Sequence, residues 1–393
     1  MRKGFGSLAI AVATSVVLLP GTAWALPQTQ PDDTWMVDKR VRTISLAGGY
    51  VWIGGKFTEL QTEDGQSAGS EPFVTALTLD GTPAGVSPPT LTGTTGSEVW
   101  DSSLGPDGVL YLAGKFNYSS GGDSYRNLVG IDPTTGDIVR TFRTAGLKSV
   151  YADADRVYAG GVKLNAYGLD GKLASGFSPI SLHVDDSLRG HTTPEAVRDI
   201  LAAGAWYVAT GQFDYINGDP QKLMFRFDPV TGAVDQSWAP SNLSQQSAAW
   251  GTAIAIDGST VYVAAGGSDY TAAYDLATAQ LQWSTDTSGS SQAVSIWDAD
   301  TLVVGGHFEW VADGAATQCG SNQSPDTSCW KQPRLVALQR SNGDAIKSWT
   351  PSVCCAYNGV WATMVEGNRL HIGGEFTKVG GILQRYYGRM TQI

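Results

Sequence analysis

Apolar positions along this chain come in short dense runs, and the runs repeat. The clearest copy is Leu370-His371-Ile372-Gly373-Gly374-Glu375-Phe376. Val51-Trp52-Ile53-Gly54-Gly55-Lys56-Phe57, Leu110-Tyr111-Leu112-Ala113-Gly114-Lys115-Phe116 and Leu302-Val303-Val304-Gly305-Gly306-His307-Phe308 follow the same plan. Weaker copies begin at Val157, Val208 and Val261. The second small residue of each pair falls at Gly55, Gly114, Gly161, Gly211, Ala265, Gly306 and Gly374, so the spacings are 59, 47, 50, 54, 41 and 68. A period of that order marks a propeller or a solenoid.

Each copy sits inside a four-part unit. An apolar strand comes first, as in Val41-Arg42-Thr43-Ile44-Ser45-Leu46. A tight turn follows, for example Pro106-Asp107-Gly108 or Glu366-Gly367-Asn368, whose residues accept positive φ or bond their own backbone. The glycine-pair strand is second, and a loop leads to a third, such as Asn127–Ile131. Turns of the Asp132-Pro133-Thr134-Thr135-Gly136 type then lead to a fourth strand ending in Phe142, Phe177, Trp238, Trp283 or Trp349. The pattern predicts an all-β chain: a seven-bladed β-propeller of four-stranded antiparallel blades. Strands apolar at nearly every position fit sheets covered on both faces. Glycine inside a strand implies close approach by another group, and a neighbouring blade's Trp or Phe is the expected occupant.

The last unit runs out of chain after its third strand, Tyr386–Ile393. An open edge invites pairing with other chains, so the ring needs a closing strand. Thr34-Trp35 matches Ser237-Trp238 and Ser348-Trp349. Residues Thr34–Asp38 are therefore expected to complete the last blade, antiparallel to Tyr386–Thr391, with Trp35 in the final seam. The expected layout is 1–25 secretory signal, 26–33 short linker and 34–393 propeller.

The blade consensus resembles the delta-60 repeat of secreted bacterial β-propellers. Gly367-Asn368-Arg369-Leu370-His371-Ile372-Gly373-Gly374-Glu375-Phe376-Thr377 is the best match, and the resemblance spans the mature chain. It implies a fold and no particular reaction. A narrower likeness joins Asp228-Pro229-Val230-Thr231-Gly232, Trp238 and the adjacent Cys354-Cys355 to quinoprotein dehydrogenases, whose metal-binding positions have no match here.

Composition adds the compartment. Met1-Arg2-Lys3, the apolar run Leu8–Leu19 and Ala23-Trp24-Ala25 read as a secretory signal cut after Ala25. Without Arg2 and Lys3 the chain carries 24 basic and 37 acidic residues, a net charge of about −13. That balance argues against nucleic-acid binding, and no segment reaches transmembrane length. In an exported chain, Cys319, Cys329, Cys354 and Cys355 are expected as disulfides. The simplest pairing is Cys319–Cys329 with Cys354–Cys355, and the alternative staples the two loops together.

The turns between strands one and two and between strands three and four are short and share one face. The variable loops Thr58–Pro72, Asn117–Arg126, Ser178–Glu195, Asp214–Gln221 and Glu309–Pro333 share the other, which is the expected working surface. Two candidate clusters lie there. One is His183, Asp185, Asp186, Arg189, His191 and Glu195, which suits metal binding or acid–base work, or is a solvated loop. The other is the position before the conserved Phe: Lys56, Lys115, Gln212, His307 and Glu375, a ligand ring or inter-blade ion pairs. No catalytic residue, metal or cofactor is assigned. The reading is a secreted, monomeric, non-catalytic binding propeller that recognises an extracellular protein or glycan without membrane insertion. The rival is an exported quinoprotein-like oxidoreductase or polysaccharide-acting enzyme.

Overall fold

The computed structural model describes residues 25–185, 195–240, 249–313, 319, 329–356 and 358–392. These residues form an all-β structure with no helix among them, and so none long and apolar enough to cross a membrane. Seven antiparallel sheets follow the repeat, each with the strand order one-two-three. The first strands are Val41–Ala47, Glu98–Leu104, Ser149–Ala152, Ala196–Ala203, Trp250–Asp257, Ser291–Ile296 and Gly359–Glu366. No sheet closes on itself. What runs around the molecule is contact between sheets: each first strand touches the next, and Gly359–Glu366 touches Val41–Ala47. The arrangement is propeller-like.

The glycine pair has a different occupant from the one expected. A Cβ on Gly54 would come within 2.7 Å of Val99 in the next sheet's first strand. Gly160 meets Val197 in the same way, Gly305 meets Val360, and Gly373 meets Val41. The pair thus admits a valine from the neighbouring first strand, not a Trp or Phe. The second glycine faces the carbonyl of its own first strand: Gly55 meets Arg40, and Gly114 meets Glu98. One junction exchanges sizes. Thr210 stands where the pair would have its first glycine, and the facing residue is Gly251, where four other sheets have valine.

The tryptophans lie elsewhere in the seams. Trp238, 1% exposed, packs with Val261, Val263 and Tyr270, and its Nε1 donates to the Leu276 carbonyl at 2.8 Å. Trp283 Nε1 reaches the Arg340 carbonyl at 2.8 Å. Each indole caps the end of the next sheet's third strand.

Four strands per sheet is too regular an expectation. Ile138–Thr141, Ile180–His183 and Leu281–Asp286 are fourth strands. In three other sheets the fourth segment shrinks to single bridges, Leu77 with Pro83, Phe227 with Val234 and Leu338 with Ala345. The variable loops also hold structure that their sequences did not announce. Short hairpins such as Glu59–Gln61 with Ser67–Ser70, and Trp310–Ala312 with Cys329–Lys331, receive the chain leaving the preceding sheet. Leu182 pairs with Ile216, Val353 with Val379, and Thr287 bridges Val311.

The N-terminal segment pairs upstream of the expected register. Thr34–Asp38 does not line Tyr386–Thr391. Met36 and Val37 pair instead with Gln61 and Leu60. The last strand is met by earlier residues, which the sequence reading placed in a linker: Gln28 N donates to Thr391 O at 3.1 Å and Asp32 N to Arg389 O at 2.7 Å. The Asp32 carboxylate also accepts from Arg389 Nε at 2.6 Å and Thr391 Oγ1 at 2.6 Å. Trp35 does reach the seam, half-buried against a cluster holding Tyr387, Val51 and Leu77. Trp349 Nε1 donates to Pro27 O at 2.7 Å.

Cys319 is bonded to Cys329 and Cys354 to Cys355, the simpler of the two pairings.

Candidate functional site

The first strands share an irregularity that builds the site. The ladder to the second strand slips between Val41 and Thr43, Val99 and Asp101, and Val197 and Asp199. It slips again between Gly251 and Ala253, Ser291 and Ala293, and Val360 and Ala362. A bulge leaves one residue unpaired and re-aims its side chain. The skipped residues are Arg42, Trp100, Arg198, Thr252, Gln292 and Trp361. In the third sheet Lys148, which directly precedes Ser149–Ala152, takes the corresponding place. All seven line one central cavity of about 330 Å³.

The ring is polarised. Arg42 Cζ lies 3.8 Å from the Trp361 ring centroid and 4.0 Å from that of Trp100. Lys148 Nζ lies 3.0 Å from the Trp100 centroid. Trp361, Arg42, Trp100 and Lys148 therefore alternate ring and cation, a favourable arrangement where water is scarce. Arg198 follows, with its Nη2 donating to Gln212 Oε1 at 3.0 Å. Glu98 Oε2 is the near carboxylate, 3.0 Å from Arg40 Nε and 3.4 Å from Arg42 Nε.

The other side of the ring is neutral and internally bonded. Thr252 Oγ1 donates to the Ser291 carbonyl at 2.7 Å. With its amide nitrogen towards the Asn358 and Val360 carbonyls, Gln292 presents its oxygen to His307 Nδ1 at 3.3 Å. On the cationic side, two buried donors meet no acceptor among the described residues, Arg42 Nη1 and Trp361 Nε1.

Burial sets the charge states. It pulls the Lys148 ammonium down to about 7 against the opposing pull of Glu98, with Arg198, Arg42 and Arg40 adding to the drop. It pulls Arg42 down to about 10, which leaves it charged at neutral pH. One residue past two of the bulges sit Asp101 and Asp199. Burial pushes Asp199 up to about 6. Asp101 goes well above the usual carboxylate range through burial and then the charge of Asp199. Each accepts two main-chain N–H bonds, one within its own strand, Ser102 to Asp101 and Ile200 to Asp199, and one from the next sheet, Val150 to Asp101 and Ile254 to Asp199.

The candidates from the sequence fall into two groups. Behind the ring lie His307 against Gln292, Gln212 against Arg198, and Glu375, which accepts from Asn358 and lies 3.9 Å from Arg40 Nη1. Lys115 stands opposite Glu98 in the ladder. Lys56 N donates to Arg40 O at 2.9 Å. Of the His183 cluster, the described residues His183, Asp185 and Glu195 do not line the cavity. His183 is exposed, 3.8 Å from Glu195, and Asp185 N donates to Asp214 at 2.9 Å. Asp186, Arg189 and His191 lie outside the described residues.

The ring residues themselves went unread in the sequence, although a signal existed. Each stands 13 or 14 positions before the second small residue, as Arg42 does before Gly55 and Trp100 before Gly114. Each is also a polar or aromatic residue among the first three of its strand or, for Lys148, directly before it. Among the described residues no group of three or more His, Cys, Asp or Glu side chains is placed to hold a metal ion.

No protein-family model and no curated protein matches the sequence. Among solved structures, the chain is similar to the WD40 β-propeller domain of Doa1 at 12% identity and a TM-score of 0.52. That match covers 92% of this chain and 97% of the other. BamB from Moraxella catarrhalis aligns over 92% of this chain and 98% of its own at 11% identity and a TM-score of 0.47. At these identities the likeness concerns the fold alone, and the Doa1 match supports a β-propeller architecture.

Proposed function

We propose that this protein is a secreted, non-catalytic interaction module, a seven-bladed β-propeller of the delta-60 repeat type that recognises an extracellular protein or glycan. The seven repeat sheets and the cyclic contact of their first strands support the blade count. The bonds of Gln28 and Asp32 to the last strand support closure by the N-terminal segment. Residues 1–25 are the export signal.

One observation carries the interaction reading. The variable hairpins and the bulge ring lie at the same end of the sheets, because each ladder slips beside the second strand's exit into its loop, as at Val41 and Gly55. One end of the scaffold thus holds both the insertions and the converging side chains. The test is capture of glycans and of extracellular proteins by residues 26–393, and by variants whose Glu59–Ser70 or Trp310–Lys331 hairpins are replaced by minimal turns. Loss of capture with unchanged melting supports the reading. Capture that survives both replacements places recognition elsewhere.

The buried pair Asp101 and Asp199 favours the second reading, a polysaccharide-acting enzyme, since raised carboxyls are the usual acids of such sites. Their main-chain bonds assign them a structural role instead. Turnover of any polysaccharide that Asp199→Asn abolishes would reverse this order.

A further inference from the structure

The cationic side of the ring presents donors without acceptors. Arg42 lines the cavity with only 5% of its side chain exposed, and its Nη1 is buried without a partner among the described residues. Trp361 lines the same cavity with Nε1 in the same condition. A buried donor with no acceptor costs about 1–3 kcal/mol, and more when charged, so two on one cavity call for an explanation. Both are donors, which asks for a guest rich in acceptors.

Charge narrows the guest. Arg40, Arg42, Lys148 and Arg198 surround one buried carboxylate, Glu98, and Glu375 stands farther out beside Arg40. The local excess is positive in a chain whose net charge is −11. The excess is modest, because Glu98 already occupies Arg42 Nε. Below the ring, Asp101 and Asp199 oppose a deep or multiply charged anion. A planar monoanion fits best, because Arg42 is wedged between two indoles and its remaining donor edge is held in place. A fixed guanidinium suits carboxylate geometry.

We propose that the mouth of the central cavity binds a single carboxylate group, whose oxygens accept from Arg42 Nη1, Lys148 Nζ and Trp361 Nε1 beside the charge of Arg198. The free acid of a small solute and the uronate of a sugar share this chemistry. The site goes beyond macromolecular recognition by the loops and stands if that reading fails. Burial holds the Lys148 ammonium down to about 7, and a carboxylate bound beside it would favour its charged form.

The test uses residues 26–393 with the tryptophan indoles labelled with 15N. Acetate, glucuronate and inorganic phosphate are titrated separately. The expected result is a saturable shift of the Trp361 indole N–H with acetate or glucuronate, weakened by added salt. Lys148→Met should weaken it about tenfold, the loss of one charge-assisted bond. Trp361→Phe keeps the ring beside Arg42 and removes the N–H, so a smaller loss, measured by calorimetry, is expected from it. Unchanged melting of both variants without ligand shows that the loss is not unfolding. Equal affinity for the two carboxylates identifies a free acid as the source, and tighter glucuronate binding identifies a sugar acid. Tighter binding of phosphate than of either overturns the carboxylate assignment. No shift with any probe, or binding indifferent to Lys148→Met, overturns the site. The hairpin replacements should leave carboxylate binding intact, which separates this result from the fate of the loop-face reading.

Discussion

The guanidinium carbon of Arg42 lies between the indoles of Trp100 and Trp361, 4.0 and 3.8 Å from their centroids. The three residues come from three consecutive sheets, so one stack spans two seams, including the one where the first and last sheets meet. A charge so enclosed has little access to water, and the ring faces replace part of its hydration.

This stack makes a measurable coupling. Arg42→Met and Trp361→Leu should interact in a double-mutant cycle by about 1–2 kcal/mol in denaturant unfolding. A coupling near zero would mean that the indole merely fills space beside a guanidinium held by Glu98.

The Thr210 and Gly251 junction predicts compensation. Gly251→Val alone drives a branched side chain into Thr210 and should cost about 1–3 kcal/mol or more. Thr210→Gly alone leaves a gap and removes the Oγ1 bond to Leu223 O at 2.6 Å. Together the two changes reproduce the glycine–valine contact of four other seams. The double variant should be more stable than Gly251→Val, as thermal melting would show. A double variant no better than either single change would refute size exchange across the seam.

Asp32 joins the two ends of the described chain. Its carboxylate is 13% exposed and Arg389 is 10% exposed, so removing it leaves a nearly buried cation. Asp32→Ala should cost about 2–4 kcal/mol, and deletion of residues 26–33 more, because the main-chain bonds and the Pro27 acceptor of Trp349 are also lost. Denaturant midpoints of the two variants check this order. Parental stability in the deletion variant would show that the N-terminal segment does not close the ring.

His371 gives an acid limb to the stability curve. It is fully buried in the second strand of the last sheet, with Nδ1 at 2.9 Å from the Tyr387 hydroxyl. Burial first, then the Arg389 and Arg369 charges, pull it down to about 3. In the unfolded chain the imidazole protonates near its ordinary value of about 6.5. Between those values the unfolded state binds the extra proton, so stability falls as pH drops from about 6.5 towards 3 and is unaffected above. His371→Gln should flatten that limb when the melting temperature is followed at pH 7 and pH 4.5. An unchanged slope would assign acid sensitivity to other groups.

How far the sequence reaches is clearest at particular residues. Gly54 and Gly305 announced a close approach, and the repeat announced where, because a strand glycine is costly without a packing reason. The identity of the visitor, Val99 or Val360, depends on the offset between adjacent sheets, which no single strand encodes. Met36 and Trp35 were correctly drawn towards the seam between first and last sheets. Their register was misplaced, since pairing there is set by Gln28, Asp32 and a hairpin at Glu59–Ser70 that alternation alone does not reveal.

By itself the sequence determined the repeat, the β class, the turn positions and the cysteines available for bonding, because all of these follow from local propensity and periodicity. Only the tertiary structure decided the site. Arg42, Trp100, Lys148, Arg198, Thr252, Gln292 and Trp361 are spread over more than three hundred residues and have no single residue type in common. A recurring bulge, or at Lys148 the strand's edge, turns each towards the centre. Seven inner strands standing side by side then bring them to one cavity, and long-range packing is what places cation against indole.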